Sequence, residues 1–550
     1  MKNILQKFGF LVLFTIVLLS GCTGKFEEIN KSPNSPEPSQ VDPKFVLSFV
    51  ISRSMMPTST YQNNQLLISD KYAQYYANDL GFAAYNSYNQ VDQGISSMWS
   101  GITYTYLNHL NTVIRNFEDQ PEHTNVVQIA RIWKSWLMLR ATDIWGDIPY
   151  FQACIGTGDN PPYDRQQDIY DDLFKTLADA ANKFDATKNN PLTLDMLYSG
   201  DYDGWRKFAN SLRLRMAMRI SLADPARAKT EAEAAIAAGL INNAEIRASI
   251  RTDNNSTSSQ SPYYSYFSGG GYGMSLTMEN ILTGLGGQPW PDDVFATTRP
   301  DVVDPRGPLM YDPVNLSAAG NPDWVGTWRG SRPGLISGTQ AMTATVARMG
   351  RYVYSNPTRR FNVFKYSEIC FLLAEAKARF PSWSTGSGTA ESWYTEGIRD
   401  NMAEWGISSA VVDAYLLSNS PNVNGTTVAF SDVSGNNNTV LDKIMTQKWL
   451  AMFPDCSWDS WADHRRTNKP KLIPYEGVDS QWFPGNYDNT NDGPQSFIRR
   501  IAYPVNEQTL NKENLDAALS IIGFGGGNYV GYIRKPVWWD PYDENGNVRY

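Results

Sequence analysis

The sequence predicts a mostly α-helical protein of antiparallel helical hairpins, interrupted by one long loop-rich insertion. Apolar residues recur at steps of three and four along many segments, which places them on one face of a helix. Several such segments follow one another with short connections, the pattern of hairpins stacked in the tetratricopeptide manner, although no strict repeat of about 34 residues is present. Between residues 254 and 357 the periodicity is lost, and Gly, Pro, Ser and Asn become frequent.

The first half of the chain carries most of the predicted helices. Pro43 suits a helix start, and Gly146 and Gly239 suit helix ends. The predicted helices of this half are residues 42–54, 91–116, 125–144, 168–184, 205–222 and 225–238.

The insertion at residues 254–357 separates these helices from a second helical group. Within it only 278–285 suits a short helix, because glycine runs break the others. An irregular segment of this length inside a compact protein is usually functional, so the working surface is expected here. Helices are predicted again at 362–380, 389–405 and 440–452, and the chain is loop-rich from 477 onward.

The N-terminus has the features of a lipoprotein signal. Lys2 and Lys7 precede an apolar run, and the small residues Ser20 and Gly21 lead directly to Cys22. Cleavage before Cys22 would expose a thiol for acylation, although an ordinary signal peptide with an incidental cysteine is the alternative. The predicted organisation is therefore a signal peptide at 1–21, a lipidated tether at 22–43 and a ligand-binding domain at 44–550. No later apolar run reaches about 18 residues, so no second membrane segment is expected.

Composition narrows the functional class. The formal charge of −8 becomes −10 when Lys2 and Lys7 are removed with the signal peptide, and an acidic chain does not suit nucleic-acid binding. The chain holds 17 Trp and 30 Tyr, more than helix packing alone requires. Cys154, Cys370 and Cys456 allow at most one disulfide, and buried free thiols are the favoured reading.

Catalytic and cofactor motifs are not evident in the sequence. His109, His123 and His464 are not spaced as metal ligands, and there is no Gly-x-Ser-x-Gly elbow or phosphate-binding glycine loop. No cofactor and no enzymatic activity are therefore expected. A glycoside hydrolase is the alternative, since it needs only two carboxylates. The Asp432–Asp442 segment could hold a structural calcium ion, but it matches no defined loop and a solvated turn is favoured.

Aromatic residues in the loops are the candidate ligand contacts. Sugar rings stack on aromatic faces, and their hydroxyls need amide or carboxylate partners. Each ring could equally anchor its own loop by packing. The candidates, from the early loop at 78–89 and from the insertion, are Tyr85, Tyr88, Tyr264, Tyr266, Tyr272, Trp290, Trp324 and Trp328.

Several short motifs, in order along the chain, resemble the signatures of the SusD/RagB family. The first is the opening stretch from Cys22 to Pro38, with Ile29-Asn30 and Pro33-Asn34, and the others follow as far as the C-terminal region. The later motifs are Trp145-Gly146-Asp147-Ile148-Pro149-Tyr150, the run from Trp205 to Arg215, Tyr366-Ser367-Glu368, Gln447-Lys448-Trp449, the run from Trp461 to Thr467, and Arg499-Arg500-Ile501-Ala502-Tyr503-Pro504.

This resemblance implies a function as well as a fold. Members of the family are surface-exposed lipoproteins of the Bacteroidetes outer membrane that bind nutrients, typically glycans, without chemistry. They act as the lid of a SusC-type TonB-dependent transporter. The family also includes oligopeptide importers, so a peptide is the alternative ligand.

The charged residues of the signature helices have two interpretations. Arg215 and Arg219 lie one turn apart on one predicted helix, with Arg213 beside them, and Glu368 and Glu375 lie on another. They could form a charged ligand site. A buried ion-pair network that joins scaffold helices is favoured.

Overall fold

The computed structural model describes residues 41–55, 58–79, 92–156, 160–188, 194–267, 272–314, 325–334, 346–475, 493, 496–524 and 531–550. Residues Lys44–Tyr550 form one compact unit. Cys22 and the rest of the predicted signal and tether up to residue 40 lie outside the described residues.

The first helical group follows the predicted order. Its α-helices are α1 Pro43–Met55, α2 Thr58–Tyr61, α3 Asp70–Tyr72, α4 Asp92–Trp99, α5 Leu107–Phe117, α6 Thr124–Trp145, α7 Gln166–Asn182, α8 Tyr202–Arg219 and α9 Pro225–Ala238. π-Helical turns at Gln62–Ser69 and Ser100–Tyr106 join α2 to α3 and α4 to α5. Successive helices from α5 to α9 pack against each other in pairs, which confirms the mostly helical, tetratricopeptide-like arrangement.

The second group contains both helices and short strands. Its helices are α10 Pro262–Phe267, α11 Leu276–Leu282, α12 Gly307–Met310, α13 Arg351–Tyr354, α14 Tyr366–Arg379, α15 Ala390–Glu404, α16 Ser409–Leu416, α17 Val440–Met452, α18 Ser457–Thr467, α19 Val505–Leu510 and α20 Lys512–Ile521. α19 and α20 lie in the C-terminal stretch that the sequence predicts to be loop-rich.

The strands form three small sheets. They are β1 Tyr76–Asp79, β2 Ala248–Ile250, β3 Tyr272–Met274, β4 Thr283–Pro289, β5 Val302–Val303, β6 Tyr311–Asp312, β7 Arg348–Met349 and β8 Phe361–Phe364. The sheets have the orders β1-β3-β7-β6, β2-β8 and β4-β5.

Two predicted helices are partly strand. The predicted helix 362–380 begins at Tyr366, because Phe361–Phe364 pairs with β2 and aromatic and β-branched residues suit a strand. The predicted helix 278–285 ends at Leu282. Beyond it Gly284 and Gly286 have φ angles of 83° and 78°, which a helix does not allow.

Buried ion pairs join the helices of the two groups. Arg215 on α8 binds Glu368 on α14, with 2.7 Å between Nη2 and Oε2, and both side chains are buried. Asp459 lies between two guanidinium groups, 3.3 Å from Arg215 and 3.0 Å from Arg219, and Arg219 also binds Asp143.

Glu375 is paired in the same way. It accepts from Arg466 on α18, with Nη2 and Oε2 2.8 Å apart. Although burial opposes it, the Arg466 guanidinium holds the pKa of Glu375 below its usual value. The favoured interpretation of the signature residues, an ion-pair network that joins scaffold helices, is therefore confirmed.

The three described cysteines have free thiols. Cys370 and Cys456 are buried, and Cys154 is partly exposed. The favoured interpretation of buried free thiols thus holds for two of them.

The network predicts a large stability loss for Arg215→Ala. This substitution would leave the buried Glu368 carboxylate without its main partner, which is expected to lower the free energy of unfolding by about 3–5 kcal/mol. Urea denaturation followed by circular dichroism would measure the change.

Arg399→Ala is the matched control for this measurement. Arg399 pairs with Asp413 at 2.6 Å, but both side chains are exposed, so the expected loss is about 0–1 kcal/mol. Equal losses in the two variants would show that the buried network does not stabilise the scaffold as argued.

Candidate functional site

The predicted aromatic contacts do not share one environment. Tyr85, Tyr88 and Trp324 lie outside the described residues, as does the side chain of Tyr266, so their roles stay predictions. In the four-stranded sheet Asp79 pairs with Tyr272. The chain therefore leaves β1 and enters β3 at the same end of the sheet.

Three of the predicted rings are buried, which favours for them the alternative that each ring anchors its own loop by packing. Trp290 is 4% exposed, Trp328 1% and Tyr272 3%. The two indole rings meet edge to face, with their centroids 5.3 Å apart.

Backbone acceptors explain why the indoles can be buried. Trp290 Nε1 donates to the carbonyl of Val294 at 2.8 Å, and Trp328 Nε1 donates to that of Tyr311 at 3.0 Å. Because both N–H groups have partners, the insertion can use these rings as its own core.

Tyr264 is exposed, as a ligand contact must be. It lies on α10 with 37% of its surface accessible. Its neighbour Tyr263 is buried and donates a hydrogen bond of 2.8 Å to Asp455. Tyr264 therefore remains a predicted ligand contact.

A polar cleft lies over the two-stranded sheet of β2 and β8. Ile250 pairs with Phe361 and Ser249 with Asn362, and alternate side chains of a strand point to opposite faces. One face carries core residues, namely Ala248, Ile250, Phe361 and Val363. The other face forms part of a cleft of about 590 Å³, lined by Ala244, Glu245, Arg247, Ser249, Tyr352, Ser355, Asn356, Arg359, Arg360, Asn362, Glu404 and Trp405.

A column of aromatic rings forms one wall of the cleft. Tyr352 on α13 is 47% exposed, and its ring centroid lies 5.4 Å from that of Trp405 at an interplanar angle of 31°. Trp405 in turn stacks on Phe453 in the core, at 6.1 Å and 21°. The Tyr352 hydroxyl donates to the carbonyl of Glu404 at 3.1 Å. The outer ring is therefore fixed in orientation while still accessible, as a stacking platform requires.

Two of the charges lining the cleft are neutralised by close partners. Glu404 accepts from Lys365 at 3.1 Å and from Asn362 at 3.0 Å. Arg359 donates to the buried Asp455 at 2.9 Å. Burial lowers the pKa of Arg359, but the Asp455 carboxylate outweighs this effect and raises it above its usual value.

The other guanidinium groups are less well compensated. The nearest carboxylate to Arg247 is Glu404, at 3.9 Å. Arg360 is exposed and forms no ion pair with any described residue. Partial burial and the positive charges of Arg251 and Arg247 lower the pKa of Arg360.

None of the cleft residues is among the rings that the sequence singles out. Tyr352 lies near the end of the predicted insertion, where a single tyrosine carries no distinguishing signal. Asn362 falls inside a segment predicted as helix. A strand assignment for Phe361–Phe364 would have placed Arg360 and Asn362 on one face.

In the described part of the chain, no three His, Cys, Asp or Glu side chains lie close enough together to hold a metal ion. In the turn considered for calcium, Asn438 Oδ1 accepts from the Thr427 amide at 2.8 Å and from Lys443 at 2.7 Å. Asp442 accepts from the Thr439 amide at 2.9 Å and pairs with Lys469. The protein's own donors therefore occupy these oxygens.

The buried indoles predict a structural effect for Trp328→Ala. Because Trp328 is 1% exposed, its removal is expected to lower the free energy of unfolding by about 3–5 kcal/mol. Tyr264→Ala, which truncates an exposed ring of the same insertion, is the control and should cost about 1 kcal/mol or less. Guanidinium denaturation of both variants gives the comparison, and a small loss for Trp328→Ala would contradict the burial argument.

No helix among the described residues is both long and apolar enough to cross a bilayer. A sequence model of the family described as "Susd and RagB outer membrane lipoprotein" matches residues 29–540. No curated protein gives a significant match.

Solved structures of similar proteins share the fold. A SusD homolog from Parabacteroides distasonis is 28% identical with a TM-score of 0.81, over 93% of this chain and 100% of that one. A chitin-binding SusD homolog from Flavobacterium johnsoniae is 26% identical with a TM-score of 0.73, over 90% and 98%. A further chitin-binding protein is 26% identical with a TM-score of 0.70, over 91% and 100%. With a helical scaffold of this shape and a family match across residues 29–540, the chain belongs to the SusD-like family of outer-membrane lipoproteins.

Proposed function

We propose that this protein binds an oligosaccharide at the cell surface and acts as the lid of a SusC-type TonB-dependent transporter, anchored by acylated Cys22. The family match supports the outer-membrane location, and two similar structures are described as chitin-binding. Binding without catalysis is part of the proposal.

The observation that carries the ligand class is the exposed Tyr352 ring on its aromatic column. Trp405 supports one side of the ring and the hydroxyl is tied to the Glu404 carbonyl, so little side-chain entropy is lost when a sugar stacks on it. Polar groups that suit sugar hydroxyls line the same cleft, including Asn356 and Arg360.

The cleft carboxylates support binding rather than hydrolysis. A glycosidase needs two carboxyl groups at the scissile bond, one of which donates a proton. The two oxygens of Glu404 are occupied by Asn362 and Lys365, which holds this side chain as an acceptor within the protein. Glu245 is the other carboxylate lining the cleft.

Tyr352→Ala is expected to weaken saccharide binding about tenfold. An aromatic stacking partner can contribute about 1.4 kcal/mol of binding free energy, which corresponds to a tenfold change in Kd. A glycan and peptide array would first identify ligands of the chain, and isothermal titration calorimetry would then compare variants. Tyr352→Phe keeps the ring and should retain most of the affinity.

Tyr264→Ala is the comparison variant for this measurement, because Tyr264 is the exposed ring that the sequence predicts. A loss with Tyr264→Ala but not with Tyr352→Ala would place the ligand on α10 and contradict the cleft assignment. Ligands that are all peptides would contradict the saccharide assignment, because peptides are held mainly through backbone hydrogen bonds.

Cys22→Ser is expected to leave a folded protein that no longer sediments with the outer membrane, because acyl chains contribute about 0.8 kcal/mol per buried methylene to anchoring. The experiment is done in cells that lack the transporter, so that no partner can retain the variant. Retention in the membrane fraction there would rule out the lipid anchor.

A further inference from the structure

Three guanidinium groups flank the β2–β8 sheet beside the cleft. Ile250 pairs with Phe361 in the antiparallel β2–β8 sheet, so Arg251 and Arg360 are the next residues on the two chains at that end. Arg247 lines the same cleft. Arg247 precedes β2 and Arg251 follows it, and the positive charges of both lower the pKa of Arg360, which precedes β8.

Within the described residues Arg251 and Arg360 form no ion pair, and Arg247 forms only a long one. Arg251 donates to the hydroxyl of Ser199 and to the carbonyl of Asp195, which are neutral acceptors. Arg247 donates to the carbonyl of Ala244 at 2.6 Å, and its nearest carboxylate is 3.9 Å away. Arg360 forms no ion pair with the described residues.

The remaining charges around the cleft do not cancel this excess. Asp455 is paired with Arg359, and Glu404 is held by Lys365. Glu245 is exposed and is the one lining carboxylate, within the described residues, that forms no ion pair. The cleft is therefore cationic in a chain whose net charge is −8.

An anionic group on the ligand would relieve this repulsion. Like charges held together lower stability, and an oxyanion between them turns the repulsion into attraction. Arginine suits this task because its planar fork binds carboxylate or sulfate through two parallel hydrogen bonds.

We propose, building on the saccharide-binding function, that the cleft selects an acidic saccharide. A sugar ring stacks on Tyr352, and its carboxylate or sulfate group binds Arg360 and Arg247. Carboxylate and sulfate are both oxyanions that arginine binds in the same way. The test therefore uses a separate pair of saccharides for each group.

The test compares matched pairs of acidic and neutral saccharides on the mature chain carrying Cys22→Ser. One pair is oligogalacturonate and its methyl ester, and the other is sulfated chitohexaose and chitohexaose. At least one acidic member is expected to bind about tenfold more tightly than its neutral partner, with an affinity that falls as salt rises. The pair that shows the difference identifies the anionic group.

Arg360→Gln and Arg247→Gln should each remove most of that difference while leaving the affinity for the neutral partner unchanged. Arg399→Gln, which removes an exposed arginine paired with Asp413, is the control and should keep the difference. Melting temperatures of all variants check that they are folded.

The possible outcomes separate this inference from the function on which it rests. If neutral and acidic members bind equally and Tyr352→Ala weakens both, saccharide binding stands and the acidic preference is overturned. If none of the saccharides binds, both are overturned. Binding of hexaglutamate in place of any saccharide would also overturn the saccharide assignment, since it would identify the cationic cleft as a site for acidic peptides.

Discussion

Pairing of buried charges between helices is the constraint on which the scaffold depends. Arg215 and Glu368 are far apart in the sequence but lie within 2.7 Å of each other, away from water. Neither charge is tolerable there without an opposite charge, because the desolvation of each is offset by its ion-pair partners and their hydrogen bonds. The first helical group is thereby fixed against the second at one position, where α8 meets α14. Asp459, shared by Arg215 and Arg219, adds α18 to the same junction.

The same kind of interaction extends from the scaffold to the cleft. Asp455, between α17 and α18, accepts from Tyr263, Arg359 and Asn362, at 2.8, 2.9 and 2.7 Å. Arg359 also lies over the Tyr263 ring, with 5.0 Å from its guanidinium carbon to the ring centroid. One buried carboxylate therefore fixes the positions of α10, the turn after α13 and strand β8 relative to one another. A cleft held in this way is largely formed before a ligand arrives, which reduces the entropy lost on binding.

Local sequence signals predict the bounds of several helices, whereas the burial of individual side chains depends on distant contacts. Pro225–Ala238 and Val440–Met452 have the predicted bounds, because a proline with an aspartate cap and a capping box mark their starts. Residues 362–364 fall in a predicted helix but belong to strand β8, because a short apolar run carries no clear period and its pairing with β2 is a long-range contact. The exposure of an aromatic ring is likewise decided by distant partners. Trp328 is buried and donates to the carbonyl of Tyr311, whereas Tyr352 packs on Trp405 and stays exposed. The identity of an aromatic residue alone does not predict which of these it does.

Arginine serves two purposes in this molecule, and the environment of each guanidinium decides which. Arg215 and Arg466 are buried against carboxylates on other helices, so their charges are neutralised by ion pairs that stabilise the fold. Arg247 precedes β2, Arg360 precedes β8, and both line the cleft. The nearest carboxylate to Arg247 is Glu404 at the end of α15, 3.9 Å away, and Glu404 is already held by Lys365. Guanidinium groups that lie near one another repel, and an oxyanion bound between them would turn this repulsion into attraction. The cleft thus places Arg360 and Arg247, which lack a close carboxylate, beside the exposed ring of Tyr352, and this combination points to a saccharide that carries an anionic group.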